Sequence, residues 1–161
     1  MRTPTARSRP ARTSRRPLGL PIWAIGALAL LGTPRVILHD LGMIAPGTFA
    51  NALLVFVPVI VWIAVAIAAR VPRPFLTLLA IGACYGVLLA IGHQLLWGAS
   101  FPDGGPSLGG SLSGLDPTAQ VLLFRLVAVI SSLVTGLIVG VLSGLVAELV
   151  HLVLRRTRRA A

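Results

Sequence analysis

The sequence predicts an all-α, multi-pass membrane protein, a bundle of four transmembrane helices with both chain termini in the cytoplasm. The first observation is composition: 56% of the 161 residues are hydrophobic and 11% are charged, whereas soluble domains have about 45–50% and about 25%. The second is the presence of four apolar runs that approach or exceed the length needed to cross about 30 Å of hydrocarbon as a helix. The third is charge placement, because twelve of the fourteen arginines fall on one side of four such spans. This composition excludes a water-soluble enzyme.

The four spans follow from the apolar runs and their interruptions. They cover residues 18–38, 49–69, 75–97 and 121–147. The first is the least regular, because Pro21 stands at its start and Gly32-Thr33-Pro34-Arg35 interrupts its far end. In the second, Pro58 predicts a kink, since proline removes one backbone hydrogen bond. The last two carry no formal charge over 75–97 and 126–147, and no run shows the period-two alternation of a membrane strand.

The segments outside the spans are polar or basic. Residues 1–17 hold six Arg, three Pro and no acid, which predicts a disordered cytoplasmic tail. Residues 155–161 form a second basic cytoplasmic tail, so a single transmembrane domain covers 18–154. The Gly-, Ser- and Pro-rich residues 98–117 predict an external loop. Asp116-Pro117 at its end predicts a helix N-terminus that precedes the last apolar run.

The distribution of arginine predicts a lipid partner. Because the basic clusters flank apolar runs, we expect them to contact anionic lipid headgroups and not nucleic acid. The use of Arg without Lys, with abundant Ala, Gly, Leu and Val, is typical of a GC-rich genome and indicates a bacterial plasma membrane. The single cysteine, Cys84, excludes a membrane thiol oxidoreductase that works through a cysteine pair.

Small residues recur at four-residue spacing in the last two spans. They are Ser132, Gly136, Gly140 and Gly144 in the fourth span, and Gly82 and Gly86 in the third. This spacing lets two helix backbones approach closely in lipid. We expect these residues to pack helices within one chain, with a seam between two copies as the alternative.

A set of polar residues lies at similar depth in the outer third of the predicted bundle. This outer polar band consists of Arg35, His39, Asp40, Asn51, His93, Gln94 and Arg125. An inward-facing arginine in a membrane is normally paired or hydrated, and Asp40 is the predicted partner of Arg125. The band is either an outward-opening site that holds an anion or relays a proton, or a network of salt bridges and hydrogen bonds that joins the helices.

The sequence contains no motif that supports catalysis. No close carboxylate pair, phosphate-binding glycine loop or zinc-protease motif is present, so we expect a non-enzyme. His39 and His93 are residue types that ligate haem or metal, but we predict neither a cofactor nor a metal site. The expected function is a structural or accessory component of a plasma-membrane assembly, with a membrane protein partner or a homo-oligomer. The alternative is a small oligomeric transporter or channel that uses the outer polar band.

Overall fold

The computed structural model describes residues 17–160, without the side chains of 158–160. Its α-helices are α1 (Ile22–Leu30), α2 (Thr33–Asp40), α3 (Phe49–Ala68), α4 (Pro74–Leu95), α5 (Trp97–Ser100) and α6 (Pro117–Ala160), with one 3₁₀ turn at Gly110–Leu112. The described residues contain no strand, and the all-α prediction is confirmed for them. The predicted disorder of the first tail falls outside the described residues, except at Pro17.

Four helical stretches are long and apolar enough to cross a membrane. They are Ile22–Asp40, Phe49–Ala68, Pro74–Leu95 and Pro117–Thr157. Large apolar side chains cover the outside of the bundle, for example Phe49, which is 78% exposed, and Leu95, which is 79% exposed. An apolar exterior of this kind is typical of helices that face lipid.

The first stretch is broken into two helices at Gly32. The Thr33 hydroxyl donates a 2.7 Å hydrogen bond to the Leu30 carbonyl, and Pro34 lies in the first turn of α2. Gly32 is buried against α4, where an added Cβ would lie 2.7 Å from Cε2 of Tyr85. The break at Gly32 therefore makes α2 a separate helix, and α2 carries Arg35 and Asp40.

α3 begins at an N-cap and contacts the bundle mainly through its inner half. The Thr48 hydroxyl accepts a hydrogen bond from the Asn51 N–H, which satisfies one free donor of the first turn. Pro58, Trp62 and Ala66 are its buried residues. The Trp62 indole donates a 2.7 Å hydrogen bond to the Leu28 carbonyl of α1, which ties α3 across the bundle.

α4 is the central helix, and its closest neighbour is α6. An added Cβ on Gly82 would lie 2.5 Å from the Gly136 carbonyl oxygen and 2.5 Å from Cα of Gly140. An added Cβ on Gly86 would lie 3.0 Å from the Ser132 carbonyl oxygen. The two small-residue stripes thus lie against each other within one chain, and Gly144 continues the contact against Phe75.

α6 is longer at both ends than the predicted 121–147. Asp116 is the N-cap, because its side chain accepts hydrogen bonds from the N–H groups of Thr118 and Ala119 at 2.8 and 3.3 Å. The helix continues through the segment expected to be a basic tail as far as Ala160, since neither Gly nor Pro interrupts it and arginine is a good helix former. At 1.5 Å per residue it is about 66 Å long.

The two ends of the bundle are defined by contacts between helices. At the end where α4 begins, the Thr77 hydroxyl donates to the Leu18 carbonyl at 2.7 Å. At the opposite end, Ser100 of α5 donates to the Asp40 carbonyl at 3.2 Å. The loop after α5 is joined to α6 by Gln120, whose side chain accepts from the Leu108 N–H at 2.7 Å and donates to the Leu115 carbonyl at 2.9 Å.

Candidate functional site

A cavity of about 660 Å³ lies at the end of the bundle where α2 finishes and α6 begins, the end that the sequence predicts to lie outside. Its walls come from α2, α4, α5 and α6, and Phe101 and Pro106 after α5 contribute to its edge. Four residues of the outer polar band line it: Arg35, His39, Asp40 and His93. We call this space the outer cavity.

Asp40 organises the polar wall of the outer cavity. Its side chain is 7% exposed, and both of its carboxylate oxygens face histidines. Nδ1 of His93 lies 2.6 Å from Oδ2, and Nδ1 of His39 lies 3.4 Å from Oδ1. Both Nδ1 atoms therefore face the carboxylate, and Nε2 of each ring is the nitrogen turned away from Asp40.

Arg35 is the cation of the outer cavity. Its Nε donates a 3.1 Å hydrogen bond to Oδ1 of Asn51 on α3, and its guanidinium lies beside Tyr85. In the described part of the chain, no carboxylate lies within 4.0 Å of it. The Asn51 contact occupies one of five N–H donors, and a hydrogen bond to the Tyr85 side chain uses another, so three N–H groups remain for another partner.

Arg125 does not pair with Asp40, and that prediction is wrong. Nη1 of Arg125 lies 3.5 Å from Oε1 of Gln94, whose amide donates to the Arg125 carbonyl at 3.2 Å. The guanidinium carbon lies 5.0 Å from the centre of a Trp97 ring. Asp40 is occupied by the two histidines, which the sequence did not indicate. Because neither Arg125 nor Gln94 lines the outer cavity, the outer polar band divides into a cavity group and this separate network.

A second, smaller cavity of about 170 Å³ lies below the first. Pro58 and Trp62 of α3 and Tyr85 of α4 contribute to its walls. Arg35 and Thr135 line both cavities. We call this space the inner cavity, and Arg35 stands where the two meet.

Sequence reasoning missed two hydroxyl groups of the site. Ser131 and Thr135 of α6 line the outer cavity and are exposed. Their neighbour Ser132 is buried and donates to the Ala128 carbonyl at 2.7 Å, so its hydroxyl is already used. The four-residue spacing of Ser131 and Thr135 was the sequence feature that could have indicated this pair, because it places both hydroxyls on one helix face.

No protein-family model, no curated protein and no solved structure matches the chain. Among the described residues, no group of three or more His, Cys, Asp or Glu side chains is arranged to hold a metal ion. The side chains that the site presents are of the types that bind anions and exchange protons.

Proposed function

We propose that the chain is a multi-pass protein of a bacterial plasma membrane that binds an anion in the outer cavity and moves it across the bilayer. Both termini lie in the cytoplasm in this proposal, and the outer cavity opens to the other side. The observation that carries it is Arg35, a guanidinium without a carboxylate partner in the described chain, at the junction of two cavities.

The charges at the outer cavity favour an anion. An arginine at the centre of a membrane costs about 2.5–3.5 kcal/mol on insertion scales unless it is paired or hydrated. The Asp40 charge does not serve Arg35, because Asp40 lies between His39 and His93. Arg35 is therefore the cation of the outer cavity, and no carboxylate of the described chain lies in contact with it. An anionic ligand supplies the missing partner.

The two cavities supply part of a route across the bilayer. The α6 residues that line the outer cavity run from Phe124 to Thr135, about 16 Å along the helix and about half the thickness of the hydrocarbon. The inner cavity continues from Thr135 towards Trp62. An anion held by Arg35 lies between these two spaces, and transport in this proposal requires α3 to bend at Pro58, which lines the inner cavity.

The test is anion flux into proteoliposomes that contain the purified chain, with inorganic phosphate and sulfate as probes. Arg35→Gln is expected to abolish flux. Arg73→Gln is the matched control, because it removes the same charge from an exposed residue at the start of α4. Arg125→Gln is expected to keep flux, since Arg125 does not line the outer cavity. Equal flux through the Arg35 and Arg73 variants, with both proteins monodisperse, contradicts the proposal.

A structural or accessory role in a membrane assembly is the second proposal. The inner end of α6 supports it, because Leu149, Leu152 and Val153 are exposed there, beyond the contact of Gly144 with the start of α4. This role predicts a stoichiometric membrane protein partner in native mass spectrometry from mild detergent. Repeated recovery of a homo-oligomer alone counts against it. Neither proposal assigns a catalytic step to the chain.

A further inference from the structure

We infer that the ligand of the outer cavity is the anionic phosphate headgroup of a lipid, with its hydrocarbon chains leaving sideways past α6. This inference rests on the proposed anion site and names its ligand class. The shared chemistry is a phosphate at Arg35: inorganic phosphate binds at the same place, and a lipid of the bilayer is the ligand that also fills the rest of the outer cavity.

The size of the outer cavity favours a ligand larger than an inorganic ion. Pockets of about 300–1,000 Å³ hold organic molecules of drug size, and the outer cavity measures about 660 Å³. A phosphate ion has five heavy atoms and fills a small part of this volume. The remaining space is suited to the glycerol and first methylene groups of a lipid.

The walls of the outer cavity are charged or titratable on one side and apolar on the other. The titratable and charged side chains lie on α2 and α4, whereas Trp97, Phe101, Phe124 and Val127 supply apolar surface from α5, the loop and α6. A free anion gains nothing from the apolar walls, which only remove it from water. An amphiphile uses both, because its headgroup contacts the cations and its chains cover the apolar surface.

The outer cavity opens at its top and at its side. His39 and Gly42 are exposed at its outer end, where an aqueous ligand enters. On α6, Val127 is 54% exposed, and Ser131 and Thr135 are exposed below it. No residue of α3 belongs to the walls, so the edge formed by α6 adjoins the apolar exterior of the bundle. Lipid chains leave the cavity there without crossing a protein wall.

The hydrogen-bond donors around the outer cavity suit a phosphate better than a carboxylate. Arg35 keeps N–H groups beyond the one that Asn51 accepts, and Ser131 and Thr135 add hydroxyl groups. Each group carries one negative charge on two oxygens, but the phosphodiester of a lipid adds two ester oxygens as further, weaker acceptors. The number of donors therefore favours a phosphate over the carboxylate of a fatty acid.

The test is native mass spectrometry of the full chain, released from nanodiscs that contain equal amounts of phosphatidylglycerol and phosphatidylcholine with the same acyl chains. Both lipids carry a phosphate, but only phosphatidylglycerol has a net negative headgroup. We expect one retained phosphatidylglycerol per chain. Arg35→Gln is expected to reduce its retention about tenfold or more, since a charge-assisted hydrogen bond is lost. Arg73→Gln is expected to leave retention unchanged.

A second variant blocks the side opening and keeps every polar group. Val127→Trp places a large side chain at the α6 edge and is expected to reduce phosphatidylglycerol retention while calorimetric binding of inorganic phosphate persists. Leu142→Trp is the matched control, because Leu142 is 59% exposed on the same helix and does not line the outer cavity. This pair keeps the inference testable if the Arg35 variant fails to fold.

The outcomes separate this inference from the proposed function. Selective phosphatidylglycerol retention that depends on Arg35 and on an open side at Val127 supports it. Arg35-dependent binding of inorganic phosphate without selective lipid retention overturns the lipid assignment and leaves the anion site standing. Equal retention of both lipids by the wild-type chain and the Arg35 variant, with no phosphate binding, overturns both.

Discussion

The side chains of the outer polar band divide into two groups that differ in what holds them. Asp40 is almost fully buried and lies between two imidazoles, whereas Arg125 is held by an amide and an aromatic ring. The sequence predicted the polar residues and their common depth but paired Arg125 with Asp40. Charge and approximate depth were visible in the sequence, whereas the direction of each side chain depends on the break at Gly32 and on the turn that leads to α5.

The link between Asp40 and His93 is expected to stabilise the outer end of the bundle. Asp40→Asn removes the charge from a 2.6 Å contact, and hydrogen bonds to charged groups contribute about 1.5–3 kcal/mol. A double-mutant cycle with His93→Gln, read by denaturant titration in mixed micelles, is expected to give a coupling energy of about 1–2 kcal/mol. Asp103→Asn in the exposed loop is the control. Additive effects of the two substitutions contradict a direct link.

Arg125 is expected to affect stability and not ligand binding. Its position over Trp97 is a cation–π contact of about 0.5–2 kcal/mol, so Arg125→Gln is expected to lower the unfolding free energy by about 1 kcal/mol. Phosphate binding, measured by calorimetry on the same sample, is expected to persist. A stable Arg125 variant that has lost phosphate binding places Arg125 in the site and refutes the division of the band.

At the scale of elements, the packing of α4 against α6 could be predicted and the ends of the helices could not. The four-residue spacing of small residues marks the faces that meet, because only Gly, Ala and Ser let helix backbones approach closely. Helix ends depend on local capping and breakers. Asp116-Pro117 predicted the start of α6. Nothing in the arginine-rich C-terminal end of α6 marks a stop, and the helix extends past the predicted boundary.

The glycine contact between α4 and α6 predicts a large effect from one methyl group. A Cβ at Gly82 meets backbone atoms of Gly136 and Gly140 at 2.5 Å, so Gly82→Ala forces the helices apart and is expected to cost about 1–3 kcal/mol. Gly26→Ala is the matched control, because nothing lies within 4 Å of the added Cβ. Thermal melting followed by circular dichroism compares them. Equal melting temperatures show that the close approach is not needed for stability.

At the scale of the whole molecule, composition and apolar length predict the four membrane-length helices because both are sums over many residues. The cavities could not be predicted in this way. They arise where α2, α4 and α6 leave space, with Arg35, Asn51 and Tyr85 brought together from three helices. Long-range contacts of this kind leave no periodic signal in a sequence, so the site residues were visible as residue types but not as an arrangement.

The most direct test of the account is cysteine accessibility of the outer cavity in intact cells. Cys84→Ser removes the native thiol, Ser131→Cys places one in the outer cavity, and Ser107→Cys places a reference thiol in the exposed loop. An outward-facing anion site predicts that impermeant methanethiosulfonate reagents label both positions from outside. At each position, labelling by a negatively charged reagent is compared with labelling by a positively charged one. The ratio of the two is expected to be higher at position 131 than at position 107, because Arg35 attracts the negatively charged reagent. Labelling at 131 only after the cells are opened, or the same reagent preference at both positions, would contradict an outward-facing anion site.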